Sequence, residues 1–128
     1  MRRFKLHKLV RDKIIDHVRK EAKSVVYRRL NNKEYVRELR EKLKEEVAEL
    51  QDSKPGKIQE ELADIQEVIN HLLSALEINK KKFSVTLKNK DKKSGGFKKK
   101  IFIETVDLEE NDEWIPYYEK SFPEIKIR

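Results

Sequence analysis

Two runs of apolar residues constrain the fold most. Val36, Leu39, Leu43, Val47 and Leu50 recur every three or four positions, and so do Ile58, Leu62, Ile65, Ile69, Leu72 and Leu76. That spacing marks an amphipathic helix with one apolar stripe. Only "DSKPG", Asp52 to Gly56, separates the two runs. Proline and glycine there end the first helix, and Ser53 is the expected N-cap of the next. Helices joined by so short a loop pack antiparallel. The pattern therefore predicts a hairpin, with one arm over Lys33–Gln51 capped by Asn32 and the other running to about Glu77.

The flanks are less regular. "HKLVRDKIIDHVRKEA" has Leu9, Val10, Ile14, Ile15 and Val18 at helical spacing, which predicts a short amphipathic helix. After the hairpin, Asn79 is placed to cap a fourth helix with Phe83 and Leu87 on one face, ended by Gly95 and Gly96. "KKIFIETV" alternates enough for a short strand or extended arm. The tail carries two prolines and the aromatic group Trp114, Tyr117, Tyr118 and Phe122. These elements predict an all-α, four-helix-type bundle with a short C-terminal β arm, in one domain over residues 1–106. Residues 107–128 form an aromatic extension packed on that domain or on a partner subunit.

Charge then narrows the partners. Of 128 residues, 43% are charged and the net charge is +7. Residues 80–100 hold ten lysines against one acid, Asp91, and the first thirty residues hold eleven Lys or Arg against three acids. Basic regions attract phosphates of any kind. There is no cysteine, which excludes disulfides and thiolate metal sites. No apolar run follows the basic "MRRFKLHKLV" as a secretory signal requires, and none approaches the ~20 residues of a membrane span. The expected setting is cytoplasmic, with no membrane partner.

Against this basic background, four acids stand out. At about 100° per residue, with Val36 at zero, Glu46 falls near 280°, beside Leu39 and Leu50, and Glu49 near 220°. With Ile58 at zero, Glu61 falls near 300°, between Val68 and Leu72, and Asp64 near 240°. In an antiparallel hairpin the four can converge. Converging anions repel and lose hydration, so a positive group belongs among them. Arg or Lys can serve, and flank charges of a helical seam are often paired that way. Hard oxygen ligands on facing helices also suit Mg²⁺, or Mn²⁺ in its place.

The same residues carry a resemblance. "EEVAE" (Glu45–Glu49) followed by "ELAD" (Glu61–Asp64) resembles the EExxE…ExxD signature of the MazG-type, all-α nucleoside triphosphate pyrophosphohydrolases. "HKLVRDKI" (His7–Ile14) and "SGGFKKKIFIE" (Ser94–Glu104) are similar to the opening and closing motifs of its phosphoribosyl-ATP pyrophosphohydrolase-like branch. The likeness covers about residues 5 to 106. It implies Mg²⁺ ligation by Glu46, Glu49, Glu61 and Asp64, with catalytic roles for Glu46 and Glu45, the latter as an outer-shell or general-base group. It implies phosphate contacts from Lys8, Arg11, Lys13, Lys92 and Lys93, and hydrolysis of a nucleotide to a monophosphate and pyrophosphate. Pairing of subunits, as a homodimer or homotetramer, is also implied. Two positions depart from the pattern: Ile15 stands where proline is usual, and Ser94 where arginine is.

Three functions follow, in order of expectation. The first is a housekeeping triphosphate pyrophosphohydrolase. The second is a pyrophosphohydrolase of phosphoribosyl-ATP, which differs only in substrate. The third is a basic helical nucleic-acid-binding module built on the 80–100 region. Only Phe83 and Phe97 interleave with those lysines and no binding motif is present, so nucleic acid is not the expected partner. "GGF" reads as a helix stop with Phe97 as a packing anchor, or as a backbone cradle for phosphate.

Overall fold

The computed structural model describes residues 1–127. The chain is all-α, with five helices and no strand among the described residues. In chain order they are α1 (Ile14–Glu21), α2 (Asn32–Asp52), α3 (Ile58–Ala75), α4 (Lys80–Ser94) and α5 (Ile115–Ser121). One compact unit spans Met1–Lys90, and a second begins at Asp91.

The hairpin of α2 and α3 is the packed centre of the first unit. It begins one residue earlier than the capping argument placed it. Asn31, not Asn32, is the N-cap: its Oδ1 accepts from the Glu34 amide at 2.9 Å, and Glu34 reaches back to the Asn31 amide. This capping box satisfies two donors that a helix start leaves open. Arg28 clamps the same Glu34 with two bonds, of 3.1 and 2.6 Å. Asn32 is thereby free for another task. Its Nδ2 donates to the Ala75 carbonyl at 3.2 Å, tying the start of α2 to the end of α3 as an antiparallel pair requires.

The turn between the arms also differs in detail. Ser53 closes α2, with its amide and hydroxyl both bonded to the Leu50 carbonyl, and does not cap α3. A 3₁₀ turn over Pro55–Lys57 intervenes, because Pro55 fixes a φ suited to a helical first turn and needs no amide donor. At the far end α3 stops in a Schellman arrangement: Ile78 donates to Leu73 and Glu77 to Ser74, with Glu77 at φ 55°. Asn79 then caps α4 through a 2.7 Å bond from the Lys81 amide, as expected. Gly95, at φ 79°, ends that helix in the left-handed conformation that glycine adopts without steric cost.

Three further expectations are corrected. The first helix does not include Leu9 and Val10; it starts at Ile14, after a turn in which the Ile14 amide bonds Arg11. Residues 101–106 form no strand, since no second strand is present to complete a ladder among the described residues. Phe97 anchors nothing, being 97% exposed. In the second unit, Asp112 caps the turn into α5 through the Trp114 amide. Trp114, Tyr117, Tyr118 and Phe122 pack edge-on or tilted at 5.4–6.2 Å, the geometry ring quadrupoles favour.

Glu34 gives the fold a pH signature. The Arg28 guanidinium first, and the Asn31 amide second, lower its pKa from 4.5 to about 2. A group with a depressed folded pKa stabilises fully above its unfolded pKa and loses that contribution as pH falls. Acid unfolding of wild type should therefore carry a component between pH 4.5 and about 2. Glu34→Gln should remove it and lower the melting temperature at pH 7. An unchanged acid profile in that variant would refute the assignment.

Candidate metal centre

Helix α2 brings Glu46 to the seam because it lies two turns after Leu39 on the face that meets α3. Leu39 and Val68 are the only buried hydrophobic residues among those described, at 3% and 7% exposure. Glu46 is as buried as they are, at 6%. A carboxylate with core-like burial is costly unless matched by charge or hydrogen bonds. Glu61 and Asp64, one turn apart on α3, meet it: carboxylate oxygens from Glu46, Glu61 and Asp64 lie within 4.8 Å of one another.

The electrostatics follow from that approach. Burial raises the Glu46 pKa, and the neighbouring Glu49 and Asp64 charges push it further, while Lys42 acts against them. Burial also raises Glu61, again with Glu49 and then Asp64 adding. Glu49, exposed on α2 and outside that trio, thus bears on both groups through its charge. Glu46 Oε2 and Glu61 Oε2 are both buried with no hydrogen-bond partner. Orphaned anionic oxygens from two facing helices form a hard, oxygen-only donor set. A divalent cation of the Mg²⁺ or Mn²⁺ type fits that set, because it neutralises the repulsion and supplies the missing partner.

The chain's own cations stand at the rim. Lys42, one turn before Glu46 on α2, lies 3.6 Å from Glu46 and 3.7 Å from Glu45. Lys8 lies 3.8 Å from the same Glu45 oxygen. Arg11 donates to Asp64 Oδ1 at 2.7 Å. Glu45 is therefore outside the three-carboxylate cluster, held by two lysines at its edge. Lys42 escaped the sequence reading, although its i, i+4 spacing to Glu46 was available as a signal.

Of the other candidates, Lys13 is exposed at the start of α1 and makes no ion pair among the described residues. Lys92 and Lys93 occupy the last turn of α4, in the second unit. His71 pairs with Glu67 on its own helix at 2.9 Å. A cleft of about 150 Å³ lies beside the cluster, lined by His7, Lys8, Leu9, Glu38, Glu41, Lys42 and Glu45. Ligand pockets usually exceed about 300 Å³, so this cleft alone is too small for a nucleotide.

No family model matches the chain, and no curated protein or solved structure does either.

The cluster predicts a coupling between pH and cations. Groups with raised folded pKa values stabilise when protonated, and that contribution is lost as pH rises through the folded values. Without divalent ions, melting temperature should fall as pH rises above 4.5 through the raised Glu46 and Glu61 values. Mg²⁺ or Mn²⁺ at pH 7 should restore it, since a ligand of the native state stabilises by mass action. Glu61→Gln should melt higher than wild type in chelator and respond less to the cation. Equal cation-induced shifts in both proteins would count against a shared site.

Proposed function

We propose that the chain is a divalent-cation-dependent nucleotide pyrophosphohydrolase of the MazG type. The observation that carries the reading is the meeting of Glu46, Glu61 and Asp64 in the hairpin seam, with buried oxygens on Glu46 and Glu61 left without partners. A structural seam gains nothing from such a group, since an apolar residue of similar volume is commonly at least as stable there. The sequence resemblance adds the direction. Its acidic signature falls on these residues, and its opening motif contributes Lys8 and Arg11, which reach Glu45 and Asp64.

In this reading Glu46, Glu61 and Asp64 hold Mg²⁺ or Mn²⁺, with Glu49 completing the acidic site. The bound ion supplies neutralisation of phosphate oxygens and a more acidic water. The remaining chemistry belongs to the chain. Lys8 and Arg11 carry positive charge to the rim and draw in the phosphates that the carboxylates repel. The β and γ groups then leave together as pyrophosphate, held by these basic side chains, while water attacks the α-phosphorus in line. Glu45 takes the proton from that water. Its neighbours Lys8 and Lys42 keep it oriented, because its oxygen lies within 4 Å of both amino groups.

The reading also includes a second copy of the chain. Val47 on α2 and Ile58 and Leu62 on α3 are 41%, 40% and 51% exposed. Two hairpins facing each other across these residues make a four-helix bundle, the smallest arrangement that gives such stripes a common core. Light scattering at micromolar concentration should report at least twice 15.4 kDa. A mass of one chain would refute the pairing.

The reaction is tested by its products. With Mg²⁺, some member of a nucleotide panel should yield monophosphate and pyrophosphate, separated by chromatography. Asp64→Ala should abolish turnover while circular dichroism stays helical, since trimming a crowded anion relieves repulsion. Glu45→Gln should slow turnover with cation binding retained. Orthophosphate as first product, or full activity in Asp64→Ala, would sink the proposal.

A further inference from the structure

The segment before α1 bridges the hairpin. Lys8 reaches Glu45 on α2, and three residues later Arg11 reaches Asp64 on α3. The backbone over these residues is neither helix nor strand. Three residues of non-helical chain can span up to about 10 Å, comparable to the 8–10 Å between the axes of packed helices. A helix over the same residues would advance about 4.5 Å and reach only one arm. The strap therefore places one cation on each arm of the hairpin, at the mouth of the acidic cluster.

The two contacts are unequal. Lys8 stands 3.8 Å from its partner, an ion pair without a hydrogen bond. Arg11 makes a charge-assisted bond of 2.7 Å with Asp64 Oδ1, across 53 residues of sequence. The bond occupies one guanidinium nitrogen, and the Arg11 side chain remains 58% exposed. Asp64 is also more exposed than Glu46. Glu46 is locked by burial and Glu61 has a buried oxygen, whereas the Asp64 side chain is 37% exposed and is bonded by Arg11. Its direction within the cluster depends on what bonds it.

We propose that Arg11 is a positioning residue for the cation site, fixing Asp64 toward Glu46 and Glu61 through the strap, with its remaining N–H donors turned to incoming phosphate. This rests on the cation reading given above. A carboxylate ligand held by an outer hydrogen bond is presented in one orientation, and loss of such partners typically costs 10- to 100-fold in metal affinity. The alternative for an exposed pair is that it contributes nothing measurable. Arginine suits the double task because its planar fork offers five donors, of which one suffices for Asp64.

The test is Mn²⁺ binding without nucleotide, followed by electron paramagnetic resonance of the free ion, in full-length wild type, Arg11→Gln, Arg11→Lys and Lys13→Gln. Arg11→Gln should bind about tenfold more weakly. Arg11→Lys should recover part of the loss, since it restores the charge without the fork. Lys13→Gln, which removes a nearby charge that touches no carboxylate, should bind as wild type does. Unchanged or tighter binding in Arg11→Gln overturns the positioning role while leaving the cation site standing. Equal losses in Arg11→Gln and Lys13→Gln overturn it too, because net charge alone then explains the effect. Absence of Mn²⁺ binding in wild type overturns both this inference and the cation reading. Circular dichroism of each variant separates loss of the site from loss of the fold.

Discussion

Burial of Glu46 in the seam of α2 and α3 is the constraint on which the rest depends. A helix pair this short has few positions facing its partner. Spending one on a carboxylate forfeits apolar burial worth roughly 1.5–3 kcal/mol for a leucine-sized side chain. The loss is compounded by Glu61 and Asp64, which bring like charge to the same place. Every cation near the site can be understood as a response. Lys42 sits one turn below Glu46, Lys8 beside Glu45 and Arg11 on Asp64. None of them reaches the two buried oxygens that remain without hydrogen bonds.

That constraint also accounts for how thin the core is. Among the described residues only Leu39 and Val68 are buried hydrophobics, while Val47, Ile58, Leu62 and Leu76 are 40–52% exposed. The inner face of the hairpin is shared between apolar and acidic side chains, so the apolar stripes wrap past it onto the open side. An amphipathic stripe wider than one contact face asks for two neighbours. The proposed pairing and the acidic cluster are in this sense the same problem: a hairpin that gives its seam to carboxylates has little core of its own.

The hairpin was legible because its signals are local and repeated. Eleven apolar positions at helical spacing outvote any single residue, and the same arithmetic that placed Leu39 and Val68 in the seam placed Glu46 and Glu61 beside them. What was misread depended on single hydrogen bonds. Asn31 and Asn32 are equivalent by composition, and only the position of Glu34 three residues after Asn31 decides which one caps. Ser53 could end one helix or start the next, and Pro55 decided it by opening a 3₁₀ turn. "KLVRD" has helical periodicity, yet the strap is not helical, and its basic side chains meet carboxylates on two helices, a long-range pairing that no window of sequence contains.

The position of Arg11 shows why local periodicity failed where it mattered for the site. On a helix Lys8 and Arg11 share one face, and that geometry makes them a single cationic patch. In the non-helical strap they address different arms, Glu45 on α2 and Asp64 on α3. The consequence is mechanical as well as electrostatic. A pair of cations on one face would only lower the repulsion among the acids, whereas cations on both arms resist the splaying that the same repulsion drives. Such resistance is weak for exposed pairs in salt solution, since each contributes at most about 1 kcal/mol. A divalent ion held by Glu46, Glu61 and Asp64, as proposed, would link the two arms without that screening. The strap is thus suited to hold the arms in register for a cation rather than to replace one.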